Sequence, residues 1–113
     1  MRAEVQYLED MIDSARQIAD IDLQAFREDR RTRSAVLHEL TVIGESANKL
    51  SVELKSKHAD VPWDQIVGTR NIIVHGYFDL LWDRIWRTIT VDVPVLEGRA
   101  EEILARELHD MES

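Results

Sequence analysis

The octapeptide Arg70-Asn71-Ile72-Ile73-Val74-His75-Gly76-Tyr77 concentrates groups able to handle a phosphate ester. Arginine offers a planar fork of N–H donors that fits a phosphate, and histidine changes charge near neutrality. Together they are a minimum for metal-free RNA cleavage. The imidazole would act on the 2′-hydroxyl or the leaving oxygen, and the guanidinium would steady a phosphorane-like transition state. His75 follows Arg70 by five positions, a rotation of about 500° on an ideal helix, which leaves the two about 140° apart. They would border one groove rather than point one way. Asn71 and His75, four positions apart, share a face, where the amide could orient the imidazole and fix its tautomer. Efficient acid–base cleavage wants two proton-transfer groups, and a symmetric dimer would bring two Arg/His sets into one cleft. The spacing also leaves a plainer reading open: a buried histidine at a helix end, with Arg70 on the surface.

The elements that must position these residues are helical. Glycine and proline number four and two in 113 residues, and period-two alternation is nearly absent, so long helices with few turns are expected. Val5, Leu8, Ile12, Ala15 and Ala19 make one buried stripe on a helix over about 2–19. Val36, Leu40, Ile43, Ala47, Leu50 and Leu54 step by four and three, a heptad-like seam of about five turns. That helix starts near "REDRRTR", with Ser34 as its cap or an early helical residue. Gly44 inside the seam costs about 1 kcal/mol against alanine, which close helix packing would offset. Glu45 and Lys49 are spaced as a solvated i,i+4 pair.

Pro62 opens a short helix from about Trp63 to His75, and Gly76 suits a left-handed helix end. Beyond it, Leu81, Ile85 and Ile89 repeat at helical spacing, with Trp82 and Trp86 one turn apart. Pro94 either kinks this helix or starts another that runs to about Leu108. The fold class is all-α: a small antiparallel bundle of four to five helices forming a single domain over residues 1–113.

Composition narrows the function. With no cysteine there is no disulfide framework, no thiolate nucleophile and no thiolate metal site, which suits a reducing cytoplasm. No run approaches the roughly 18 apolar residues of a membrane span, and the acidic N-terminal stretch does not read as a signal peptide. His38, His58 and His109 show no ligand spacing, so no metal is expected. A net charge of −8 argues against a protein that coats nucleic acid non-specifically, and no DNA is expected as a partner. The charge is unevenly spread. Residues 1–29 hold three basic and eight acidic side chains and residues 76–113 four and nine, whereas residues 30–75 hold seven and five. The one positive segment ends at the Arg/His motif and permits a local anion site. "REDRRTR" reads as a solvated turn, or as an aid to binding RNA phosphates. Trp63 reads as core, Trp82 and Trp86 as core or interface, and Tyr7 as ordinary packing.

"ELTVIGESANKLS", "VPWDQIVGTRNIIVHGYF", the aromatic-rich helix after it and "DVPVLEGRAEEIL" together resemble the HepT-like branch of the HEPN superfamily, the toxins of HepT–MntA toxin–antitoxin pairs. The resemblance spans about residues 3–105. It implies an all-α bundle that dimerises so that two signature helices meet in one cleft. It also implies metal-independent endoribonuclease activity, with Arg70 and His75 catalytic and Asn71 their polar helper. Glu45 falls at an acidic position that recurs in the family. With Lys49 it is a candidate contributor to the cleft, a structural hydrogen bond being the other reading. The implied partners are RNA and a small MntA-like nucleotidyltransferase antitoxin encoded next door. No cofactor is implied, but the antitoxin would transfer AMP from ATP onto Tyr77, adding charge and bulk beside the catalytic groups. Other relatives imply a different role, a non-catalytic nucleotide- or substrate-binding subunit of a two-chain nucleotidyltransferase. A helical module that only dimerises is the blandest alternative.

Overall fold

The structure is a computed structural model that describes residues 2–76 and 82–112. α1 (Arg2–Gln17) closes in a tight turn, with Ile18 N donating to Ala15 O at 3.3 Å. Three short polar side chains then set helix boundaries, each from an extended backbone with its oxygen on an otherwise orphaned N–H. Asp22 accepts from Ala25 N at 3.0 Å and opens α2 (Leu23–Glu28). Asp29 ends that helix and begins α3 (Arg30–Lys49), accepting from Arg31 N at 3.1 Å and from the Thr32 hydroxyl at 2.7 Å. Ser51 accepts from Leu54 N at 3.1 Å and opens α4 (Val52–Lys57). α5 (Trp63–His75), α6 (Trp82–Arg87) and α7 (Val93–Glu112) complete the chain. A π turn over Thr88–Asp92 joins the last two. No strand occurs among the described residues, and no helix of theirs is long and apolar enough to cross a membrane.

Hydrogen bonds fix the directions. Glu4 accepts from Ser51 N at 3.1 Å while Ser14 donates to Glu39 at 3.0 Å, so α1 runs antiparallel to α3. Arg16 meets Glu101 at 3.2 Å while Glu4 and Glu107 line one cleft, so α1 is also antiparallel to α7. α3 is packed on α1 and on α5, with α2 lying across its start. Leu8, Met11 and Ala15, Val36, Ile43 and Ala47, and Leu96, Ala100 and Ile103 meet as the fully buried centre.

The expected bundle is present, with corrections at its element ends. Ala19 is exposed, because α1 has already ended before it. Ser34 is an exposed residue within α3; the cap is Asp29. The seam on α3 stops at Leu50, and Leu54 reaches the core from α4. Gly76 is not left-handed. It sits at φ −126° and ψ 36°, its N–H donating to Ile72 O at 2.7 Å, so the helix ends by one last bond of the helical kind. Pro94 stands in the first turn of α7, the second of the two expected arrangements. The π turn, closed by Val93 N on Thr88 O, precedes it and leads without a break into α7. Leu81 lies outside the described residues.

The loop between α4 and α5 is bolted to α7. His58 is buried, its carbonyl accepts from Trp63 Nε1 at 3.0 Å, and its Nδ1 lies 3.2 Å from Arg99 Nη2. With its proton on Nε2 the neutral ring accepts that guanidinium bond. Arg99 also grips Asp60 through Nε at 2.8 Å. Burial pushes the His58 imidazole below its ordinary range, and Arg99 and Arg106 push the same way against Asp60 and Glu107. The unfolded chain therefore takes up this proton before the folded one. Stability from His58 is complete above its unfolded value of about 6.5 and is lost as pH falls through and below it. Asp60, held below the usual carboxylate range by Arg99, adds a loss only in stronger acid. The melting temperature should drop between about pH 7 and about pH 5. His58→Gln, which offers an acceptor but does not titrate, should flatten that drop in a thermal scan.

Candidate active site

At Gly44 two helices, α3 and α5, come into very close contact. A Cβ built on that residue would lie 2.2 Å from Arg70 Cβ and 2.8 Å from Arg70 Cγ, and 3.3 Å from Ile66 O. Only glycine lets α5 come this near α3, so the packing invoked for Gly44 is real and its partner is Arg70. The arginine stem is clamped against α3, and the side chain as a whole is 22% exposed. Thr69, buried one position earlier, donates to Gln65 O at 2.8 Å and meets the Thr88 hydroxyl at 3.3 Å. That contact pins the other flank of α5 to the π turn.

The guanidinium is aimed by two side chains. Nη2 donates to Glu45 Oε2 at 2.7 Å, and Nη1 donates to Asn71 Oδ1 at 2.9 Å. Nε is buried and has no partner among the described residues. Of five N–H donors, two are occupied by these bonds and one is enclosed, which leaves two free for an incoming anion. Glu45 is half exposed, so its bond to Arg70 positions the guanidinium more than it stabilises the fold.

Asn71 is thus bonded to Arg70 rather than to His75. Glu45 and Lys49 make no ion pair with each other among the described residues, because Glu45 faces α5. The Lys49 ammonium instead lies 5.7 Å from the centre of the Tyr7 ring, on the α1 side. Arg70, Asn71 and Glu45 are therefore brought together, and Lys49 stands apart from them. His75 is the last residue of α5, exposed, with α5 helical through its whole length from Arg70. The rotation of about 140° and a rise of about 7.5 Å therefore apply, and the imidazole does not touch the guanidinium within one chain. Tyr77 lies outside the described residues. No cluster of three or more potential metal ligands occurs among the described residues.

Trp63 is core, 7% exposed. Trp86 is half-buried against Phe26, their ring centres 5.4 Å apart, and Trp82 is more exposed beside the same ring. Sequence reasoning missed what Gly44 touches. The signal available was a glycine placed beside Glu45 in an otherwise strong helical seam, and it named no partner.

An all-α bundle that presents a braced arginine and an exposed histidine from one helix carries side chains able to handle a phosphate ester. Over residues 8–103 the chain matches the family model described as "Ribonuclease HepT-like". It belongs to that family, the HepT-like branch of the HEPN superfamily. The protein named "Putative RNase MJ1380" of Methanocaldococcus jannaschii is 32% identical over 99 residues, covering 84% of this chain and 91% of that one. The protein named "Putative RNase TTE0752" of Caldanaerobacter subterraneus subsp. tengcongensis is 36% identical over 90 residues, 80% of each chain. The protein named "Probable ribonuclease HepT" of Thermococcus cleftensis is 29% identical over 106 residues, 90% of this chain and 96% of that one. No solved structure matches at a significant level.

Gly44→Ala tests the clamp. The new methyl would meet the Arg70 stem rather than a flexible tip, so backbone must shift. Overpacking toward the upper end of about 1–3 kcal/mol should outweigh the roughly 1 kcal/mol gained in helix propensity, leaving a net loss of up to about 2 kcal/mol in denaturant unfolding.

Proposed function

We propose that this chain is the toxin of a toxin–antitoxin pair: a cytoplasmic, metal-independent endoribonuclease working as a homodimer. The observation that carries the reading is the Arg70 guanidinium, braced by Glu45 and Asn71 with two N–H groups to spare, on the same helix as an exposed His75. The family and the names of the relatives support RNA as the substrate.

In this reading one His75 takes the proton of a 2′-hydroxyl, and the oxygen attacks the adjacent phosphorus. The bond to the 5′-oxygen breaks, and that oxygen takes a proton from the second His75. The product is a 2′,3′-cyclic phosphate and a free 5′-hydroxyl. Arg70 meets the charge that builds on the phosphorus oxygens, which is why its aim matters more than its mobility. One chain supplies a single imidazole here, so the second comes from a second copy in a shared cleft.

Regulation follows from Tyr77, two positions beyond His75. An MntA-like nucleotidyltransferase antitoxin would transfer AMP from ATP onto its hydroxyl, releasing pyrophosphate. The added phosphate would repel RNA where Arg70 is meant to receive it.

The purified dimer should cut single-stranded RNA in EDTA, and His75→Ala should lower the rate about 10²–10⁴-fold with its helical circular dichroism intact. Cleavage that needs a divalent metal, or that survives the substitution, removes the catalytic assignment. A protein that binds nucleotides but cuts no RNA would fit the binding-subunit role instead. After incubation with the adjacent transferase and ATP, mass spectrometry should find AMP on Tyr77, and Tyr77→Phe should stay toxic in the antitoxin's presence. AMP found only on other residues would take Tyr77 out of the mechanism.

A further inference from the structure

The corner where α2 meets α3 carries Arg27, Arg30, Arg31 and Arg33 within seven residues, and none of them forms an ion pair among the described residues. Acidic side chains outnumber basic ones 22 to 14 in this chain, and Arg16, Arg70 and Arg99 each have a carboxylate. The two acids of the corner are engaged elsewhere: Asp29 caps α3, and Glu28 accepts from Gln24 Nε2 at 3.4 Å. A cationic patch is thereby kept open on an acidic protein.

One of these arginines is fixed and stacked. Arg33 Nη1 donates to Arg27 O at 2.6 Å and to Phe26 O at 3.4 Å, and its guanidinium carbon lies 5.5 Å from the centre of the Trp82 ring. Trp82 packs edge-on against Phe26, with ring centres 5.9 Å apart and planes at 78°, yet remains 40% exposed. Phe26, Arg27, Arg33 and Trp82 line a cavity of about 300 Å³. An indole held at the surface by an arginine, beside unpaired arginines, is the combination that stacks a base and neutralises its phosphate.

We propose that this pocket is an accessory RNA-binding platform, taking one nucleobase on Trp82 and the neighbouring phosphates on Arg27 and Arg33. It deepens the ribonuclease reading and rests on it. Arg33 and Gly44 are eleven positions apart on α3, a rotation of about 1100° that returns them to within about 20° of one face, with a rise of about 16 Å. Arg70 rests on Gly44. Leu37 and Leu40 bury that face between the two points, so a single strand joining them runs over the outside of the bundle and spans the rise in a few nucleotides.

The test uses the full chain and a fluorescein-labelled, mixed-sequence single-stranded RNA, with binding read by anisotropy in a His75→Ala background and cleavage read with His75 present. Trp82→Ala should weaken binding about tenfold or more, the usual effect of losing one stacked base. Arg27→Gln, at an exposed position that need not disturb folding, should weaken binding several-fold and flatten its dependence on salt. Both variants should raise KM while kcat at saturating RNA is kept. If the unsubstituted chain cuts the RNA and both variants bind and cut as it does, the platform is overturned and the ribonuclease reading stands. If the unsubstituted chain neither binds nor cuts, the ribonuclease reading falls and takes the platform with it.

Discussion

The missing side chain at position 44 is the constraint on which the candidate site depends. A backbone that approaches a neighbouring Cβ to within 2.2 Å of where its own Cβ would be has no room for any other residue. That approach clamps the stem of Arg70, and the next residue along α3, Glu45, then reaches its head. Steric and electrostatic positioning thus come from adjacent residues of one helix. A long side chain ordinarily loses much rotamer freedom when it is ordered. Here the clamp orders most of Arg70 during folding, so binding an anion demands little further ordering.

His75 is built on the opposite principle. It stands exposed at the last turn of α5, without bonds of the kind that hold Arg70 among the described residues. In the proposed reaction this group gives and takes protons, which it would have to exchange with solvent between turnovers, and an enclosed imidazole does this slowly. His58 shows the contrast within the same protein. It is buried, bonded to Arg99 and pushed toward the neutral form, which makes it a structural latch with no access to a substrate.

Much of this was legible in the residues. The limits of α5 are marked by Pro62 before it and Gly76 after it, and the α3 seam is marked by Val36, Leu40, Ile43 and Ala47, all buried. Periodicity reports which face of a helix is covered, and it does so well here. It does not report which neighbour covers it, so Gly44 could be read as a close contact without Arg70 being named. Nor does it locate short helices whose only marks are caps: Asp22 and Asp29 bound one that the apolar pattern does not show, and Ser51 divides what that pattern joins. Side-chain pairing was the least legible. Four-residue spacing offered Glu45 to Lys49 and Asn71 to His75, yet tertiary neighbours outbid both, with Arg70 taking Glu45 and Asn71. Gly76 was assigned to a left-handed turn, but helix ends also close without one, and the sequence does not distinguish the two.

An acidic chain acting on a polyanion looks contradictory only if net charge is taken as the relevant quantity. At physiological ionic strength the Debye length is about 8 Å, so solvated carboxylates beyond that distance are largely screened from a bound phosphate. What a phosphate at the proposed site would meet is local: the two spare N–H groups of Arg70, against one Glu45 whose charge is already paired. The many acids of α1 and α7 would still weaken loose association with nucleic acid at other surfaces. In the proposed reading, acidity of the whole and cationic character of local sites act together, favouring RNA that reaches those sites over RNA that meets the acidic surfaces.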